Sequence, residues 1–358
     1  MSSMPCHFLA LTILFAVSLG VESARCGPAE RLRDETVVTT SILSEEHESR
    51  PLALDEFAMA DKLGDEHDSE MCTNGVRWRF AADALFWQRR QPGAAVLISN
   101  TADASQAIRA EELDYGFHTG PRLSVSYELD SGRTLEVSWL GIDSWHTGTT
   151  VATTSNALLR VNSAIPVFAL AGDEIEATAS SSLQNFEINL YRQPWASLRW
   201  LAGFRYLELD EQLAWQLHTP PIPFAYAVTT RNRMYGAQVG AEATLWNRGG
   251  PLSLGVLGKV GLYGNAVNHL SQYVTNVTAL SAGDSMATLS LVSDIQLSLV
   301  YQVTDHWSMR AGYQLLWIEQ AALAVDQVAV SDFVFDRGLD AKGDAFYHGA
   351  IIGLEYAR

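Results

Sequence analysis

The chain has 358 residues, of which 47% are hydrophobic and 18% charged, and a formal net charge of −17. Such a composition can bury a large apolar area, which excludes global disorder. An acidic chain without a basic stripe is also excluded as a partner for nucleic acid, itself a polyanion.

Phe8–Val21 is an apolar run of signal-peptide length, shorter than a membrane helix needs. Small residues at Val21-Glu22-Ser23 place a cleavage after Ser23, although no Lys or Arg precedes the run. Residues 1–23 therefore read as a signal peptide for export across the inner membrane. Residues 24–75 are broken and acidic, with Glu45, Glu46 and Glu48 and then Asp65, Glu66 and Asp68. They read as a solvated, disordered arm, with a periplasmic docking segment as the alternative. Cys6 leaves with the signal. Cys26 and Cys72 then form either a disulfide or two free thiols, and no CxxC spacing suggests a metal.

From Trp78 the apolar period becomes two, and residues 76–358 read as one barrel domain. In Trp78–Arg89, Trp78, Phe80, Ala82, Ala84 and Phe86 share one face, and Arg79, Asp83, Trp87 and Arg89 the other. The same alternation predicts strands over Pro121–Leu129, Thr134–Ile142, Leu183–Arg192, Ser197–Glu208 and Met234–Trp246. It continues over Leu252–Tyr263, Met286–Gln302, Trp307–Glu319 and Phe346–Tyr356. Each has about the 9–11 residues a tilted strand needs to cross a bilayer. Soluble sheets alternate too, so the connections must decide. Short turns at Asp130–Arg133, Gln193–Ala196, Asn247–Pro251 and Val303–His306 alternate strictly with long connections. That asymmetry is the signature of an up-and-down antiparallel transmembrane β-barrel, an all-β fold, with tight periplasmic turns and long outer loops. About ten strands are expected. An extra hairpin from the apolar pieces Ala94–Ile98 and Ala164–Leu170 would make twelve.

Charges on the polar face must point to the lumen, because a charge facing lipid at the midplane costs ~2–4 kcal/mol. The candidate pore-lining set is Arg79, Asp83, Arg122, Glu128, Glu136, Glu187, Arg199, Arg205, Glu242, Lys259, Asp294, Arg310 and Glu355. Both signs occur, so structural ion pairing competes with a selectivity role at every position. Trp78, Trp139, Trp200, Trp307, Trp317 and Tyr356 are the candidate membrane-interface aromatics, whose rings suit a half-apolar, half-wet layer.

Several stretches resemble a known family. They include Gly120-Pro121-Arg122-Leu123, Leu201-Ala202-Gly203-Phe204-Arg205-Tyr206 and, most specific, Thr230-Arg231-Asn232-Arg233-Met234-Tyr235-Gly236-Ala237-Gln238. Arg248-Gly249-Gly250-Pro251, Arg310-Ala311-Gly312-Tyr313-Gln314 and Gly353-Leu354-Glu355-Tyr356 follow in order. From Trp78 onward the chain is similar to the bacterial outer-membrane β-barrel porins numbered type seven. The resemblance implies a barrel in the outer membrane and assigns no solute or catalytic residue. The chain ends Tyr356-Ala357-Arg358, where barrels usually end on an aromatic read by the insertion machinery.

No GxSxG, P-loop, HExxH or GxGxxG motif is present, so no catalytic residue, cofactor or metal is expected. His218 beside Asp210-Glu211 is the one arrangement that suggests hydrolytic chemistry, and loop solvation explains it more simply. Asp332, Asp336, Asp340 and Asp344 match no calcium-loop spacing. The expected partners are outer-membrane lipid, the barrel assembly machinery and small solutes. The expected function is passage or binding of such solutes. A non-conducting barrel acting through its outer loops is the alternative, and an outer-membrane hydrolase comes third.

Overall fold

The computed structural model describes residues 78–93, 95–100, 108–130, 132–153, 156–160, 166–217 and 223–358. The signal-peptide, acidic-arm and cysteine readings, and His218, lie outside these residues.

Ten strands close into an antiparallel barrel. In chain order they are β1 (Trp78–Arg89), β4 (Phe117–Asp130), β5 (Arg133–Ala152), β8 (Glu174–Trp195), β9 (Leu198–Leu217), β10 (Phe224–Asn247), β11 (Leu252–Thr275), β12 (Ala279–Gln302), β13 (Trp307–Ala321) and β14 (Gly343–Ala357). Closure pairs β1 with β14, and the Trp78 and Arg358 backbones exchange hydrogen bonds at 2.9 Å. The expected fold class and the ten barrel strands are found.

The strand total is higher than expected. Four short strands, β2 (Val96–Asn100), β3 (Ile108–Arg109), β6 (Ala157–Arg160) and β7 (Pro166–Ala169), form a separate sheet in the order β3-β2-β6-β7. The two apolar pieces in the long connections thus enter this sheet, and none becomes a barrel strand.

The middle strands are longer than expected. β8 to β12 run 20 to 24 residues, twice a bilayer crossing. The connections read as long loops at 209–233 and 264–285 are mostly strand, leaving only 218–223 and 276–278 between strands. The physical reason is visible along β9. Trp200, Ala202, Phe204 and Tyr206 point outward, with Arg199, Gly203 and Arg205 inward. Beyond Tyr206 the outward positions are Glu208, Asp210, Gln212 and Gln216, and the buried inward ones are Leu207, Leu209, Leu213, Trp215 and Leu217. Pairing of β9 with β10 continues without a register shift across this point. The chain keeps its parity while its surroundings exchange, lipid for water outside and polar lumen for apolar core inside.

The same exchange occurs on β8, where Phe186, Ile188 and Leu190 are exposed outward, while Ile175, Ala177, Ala179 and Leu183 are buried inward. On β10, outward Tyr235 and Val239 give way to outward Arg231 and Arg233. The molecule therefore has a belt, apolar outside and polar inside, and above it a head with the opposite arrangement. The head core joins the upper strands to Leu97, Ile98, Ile108 and Tyr115 of the first long connection. The last connection adds α1 (Ala324–Val330), which buries Ala324, Val325, Gln327 and Val328.

Helix α1 has seven residues and no side-chain cap of its own. Glu211 of β9 supplies the missing acceptor: the Ala324 N–H donates to its Oε2 at 3.0 Å. Asn232 of β10 clamps the preceding peptide, accepting the Ala322 N–H and donating to the Ala322 carbonyl, both at 2.8 Å. Ser331, at the other end, sits with His269 and Ser271, with Oγ–Oγ 2.7 Å and His269 Nε2 to Ser271 2.8 Å. A connection read as a solvated loop is thus folded into the mouth of the barrel.

Candidate functional site: the lumen

Inward parity brings the candidate charges together inside the belt. Opposite charges face each other across neighbouring strands at Asp83↔Arg122, Glu187↔Arg205, Arg199↔Glu242 and Lys259↔Asp294. Glu187 is the centre of the network. It accepts from Arg205 Nη2 at 2.6 Å, Lys259 Nζ at 2.9 and 3.0 Å, Gln238 Nε2 at 2.8 Å, and the Asn185 and Asn189 amides at 3.0 Å. Asp294 shares Arg205 and Lys259, each at 3.1 Å, and accepts from Gln314 Nε2 at 2.8 Å. Asp83 takes Arg122 Nε at 2.7 Å and Arg310 Nη2 at 2.8 Å. Arg122 Nη1 then donates to Gln296 at 2.8 Å and Gln314 at 3.1 Å.

Several of these bonds join strands that are not neighbours: β8 with β11, β9 with β12, β1 with β13, and β4 with β12 and β13. The bonds therefore cross the lumen. Burying charge costs several kcal/mol per ion by order of magnitude, and dense pairing is what offsets it. Small residues make the room. A Cβ on Gly353 would lie 1.9 Å from Asp83 Oδ1, and one on Gly203 2.1 Å from Asn189 Oδ1.

Of the thirteen candidate charges, Asp83, Arg205 and Asp294 lie within this network. The other ten line a cavity of about 420 Å³ on its turn side, where Glu187, Lys259, Arg122 and Arg310 also belong to the network. Nearer the turns, Arg199 meets Glu242 at 2.5 Å and Tyr191 donates to Glu136 at 3.1 Å. Arg79 and Arg310 each approach Glu355 at 4.0 Å. Glu128 lines the wall. The cavity is a blind vestibule carrying both charge signs.

On the head side the lumen is filled by apolar side chains, among them Leu85, Trp87, Trp145, Tyr263, Leu316, Ile318 and Tyr347. Buried Arg89 and Glu211 pair within this core, and the Arg89 guanidinium lies 4.6 Å from the centre of the Tyr115 ring. The candidate set omits Gln238, Gln296, Gln314, Asn185 and Asn189, which complete the network. They share the inward parity of the charges, and that parity was the available signal. Glu211 was hidden by the exchange of surroundings on β9.

Of the interface aromatics, Trp78, Trp200 and Trp307 are exposed on the outer face toward the turn end. Tyr356 packs against Trp307, with ring centres 5.0 Å apart. Trp139 and Trp317 stand at the other edge of the belt. There Trp139 Nε1 donates to Gln184 at 3.1 Å, and Trp317 packs on Phe346 at 4.9 Å.

The two carboxylates of the suggested acid–base cluster point to opposite faces of β9. Asp210 faces outward against Arg231 at 3.1 Å, whereas Glu211 faces the core. Asp332, Asp336 and Asp340 accept backbone N–H groups of Val334, Gly283 and Lys342. Among the described residues no three His, Cys, Asp or Glu side chains come together as a metal site.

The barrel, with its apolar belt and charged lumen, has the architecture of a membrane-spanning β-barrel. The family described as Putative beta barrel porin-7 matches residues 162–332, the same family that the sequence resembles. The Gly120–Leu123 and Gly353–Tyr356 motifs fall outside that match. Among solved structures, the chain is similar to the outer membrane protease OmpT of Escherichia coli, at 8% identity over 79% of this chain and 97% of that one, TM-score 0.47. The translocator domain of the autotransporter NalP of Neisseria meningitidis gives 8% identity, 79% and 89% coverage and TM-score 0.38. The toluene transporter TodX of Pseudomonas putida gives 8%, 79% and 90%, and 0.32. No curated protein matches the chain.

Proposed function

We propose that the chain is an outer-membrane barrel that does not conduct solutes in its resting form and acts through its head, which stands outside the cell. The observation that carries this reading is the double closure of the lumen. Ion pairs join non-neighbouring strands across the belt, and an apolar core fills the space above. A ten-stranded barrel is small enough for side chains to fill, unlike the ~16–18-stranded porins with aqueous channels. The short turns at the vestibule end set that end toward the periplasm. The reading is non-catalytic. The hydrogen-bonded His269, Ser271 and Ser331 are buried beneath the last connection and offer no reachable nucleophile.

The vestibule favours a second reading, binding of a small polar solute from the periplasmic side, because its lining reaches the turn residues Gly132 and Gln193 and carries both charge signs. Single-channel recording in planar bilayers tests the first reading. The expected result is no steady conductance steps with the intact protein, and reproducible steps would overturn it. Solute binding without conductance would favour the second.

A further inference from the structure

One wall of the vestibule is built in rungs from β4, β5 and β8. The innermost rung sets Leu140 beside Asn185, the next sets Ser124 opposite Ser138, and the rung nearest the turns sets Glu128 opposite Thr134. All six line the cavity.

The bases of the cavity are already held. Arg122 and Arg310 meet Asp83, Lys259 meets Glu187 and Asp294, and Arg199 meets Glu242. A solute anion would have to draw one of them from its carboxylate, and breaking a buried pair is costly. The hydroxyls stand in the opposite condition. Ser124, Ser138 and Thr134 on this wall, with Ser253 and Ser308 on β11 and β13, line the cavity and engage in no side-chain hydrogen bond among the described residues. Asn185, 5% exposed at the inner end, donates its Nδ2 to Glu187 at 3.0 Å, while its Oδ1 accepts no hydrogen bond among the described residues. From Asn185 down to Thr134 the unengaged groups of this wall are therefore neutral. Glu128, a carboxylate without an ion pair, stands only at the turn end, so a cation held there would leave the inner groups unused.

A serine hydroxyl both donates and accepts, and a bare amide oxygen needs a donor. An uncharged molecule that meets both demands at several points is a polyol. We propose that the vestibule takes a neutral sugar of monosaccharide size, with ring hydroxyls on the Ser124 and Ser138 hydroxyls and on the Asn185 amide oxygen. Its volume of about 420 Å³ lies at the small end of ligand pockets, roughly 300–1,000 Å³. The inference rests on the second reading above, solute binding in the vestibule, and is independent of what the head does.

Isothermal titration of the full chain, in an amine-oxide detergent that carries no sugar headgroup, tests it. Glucose and galactose are compared with their amino sugars and their uronic acids, in mildly acidic buffer that keeps the amines charged. A neutral hexose should bind saturably and more tightly than its charged counterparts. The double variant Ser124→Ala/Ser138→Ala removes two unengaged hydroxyls and no member of the ion-pair network. It should weaken hexose binding about tenfold, the scale of two hydrogen bonds, with folding checked by heat-modifiable migration in SDS gels. Equal or tighter binding of an amino sugar or a uronic acid would overturn the neutral-sugar assignment and leave solute binding standing. Unchanged hexose affinity in the double variant would put the sugar elsewhere and overturn the assignment too. No saturable binding of any probe would overturn both the assignment and the reading on which it rests.

Discussion

The belt and the head are built from the same strands, yet they solve opposite problems. In the belt the outside solvent is hydrocarbon, so Val239 and Leu262 of β10 and β11 are 58% exposed without cost, and the polar groups are gathered inside. In the head the outside solvent is water, so Arg231 and Arg233 face outward and Val228, Trp215 and Tyr226 fill the interior. A strand's parity fixes which face a side chain joins, while height along the barrel fixes which face must be apolar. The hydrophobic effect organises the head. In the belt, where lipid replaces water, closed backbone pairing and internal ion pairing take its place.

The largest test of that difference is the centre of the belt network. Glu187→Ala leaves Arg205 and Lys259 buried with Asp294 alone between them, and should cost about 3–5 kcal/mol, as for other broken buried pairs. Reversible unfolding in detergent or lipid vesicles measures it, and a loss below about 1 kcal/mol would mean that the network is not part of the folded core.

Next comes the same substitution on one face of one strand. Val239→Arg and Thr229→Arg both point outward on β10, the first in the belt and the second in the head. The first should cost ~2–4 kcal/mol, and the second should stay within about 0.5. Similar values for the two would erase the boundary between the regions. A neighbouring position is less informative: Gln238 is 2% exposed and bonded to Glu187, Asn189 and Tyr263, so an arginine there has no free lumen to enter.

This boundary also explains what the sequence could disclose. The period of two revealed all ten barrel strands and put Arg79 to Glu355 on the inward face. The turns Asp130–Arg133 and Asn247–Pro251 gave the alternation. Past Tyr206 the period persists in Leu207, Leu209, Leu213 and Trp215, but the apolar stripe moves to the other parity. A reading that follows one apolar face meets this as the end of a strand, so the head appears as loops. The last connection was hidden for another reason. Its seven-residue helix is held by Glu211 and Asn232, which are 113 and 90 residues away in the chain from the backbone groups they bind. The closure of the lumen was hidden likewise, since parity tells that Arg205 and Asp294 face inward but not that they meet.

A smaller effect separates the tryptophans. Brominated lipids should quench Trp200 and Trp307 strongly in single-tryptophan variants, while buried Trp215 and Trp87 should be spared. Quenching of Trp215 comparable to that of Trp200 would place the head in the bilayer.

The smallest effect belongs to the head alone. Burial first, then the Glu211, Asp340 and Asp344 carboxylates, raise the Asp326 carboxyl to about 6, with Arg89 acting in the opposite direction. The folded head therefore favours its protonated form. That contribution is full below the unfolded carboxyl value and is lost as pH rises through about 6. Amide exchange in α1 should be better protected at about pH 5 than at about pH 7.5 after correction for intrinsic rates, and Asp326→Asn should flatten the dependence. A dependence of the opposite sign would show that another group governs the opening of α1.

The exchange of polarity along a continuous strand is tested most directly by spin labels at successive outward positions of β9, in a background with the native cysteines replaced. Labels at Ala202 and Phe204 should be reached by oxygen in preference to a water-soluble nickel chelate, and labels at Asp210, Gln212 and Gln216 by the chelate in preference to oxygen, with the crossover near Tyr206–Glu208. One preference maintained from Ala202 to Gln216 would contradict the division into belt and head.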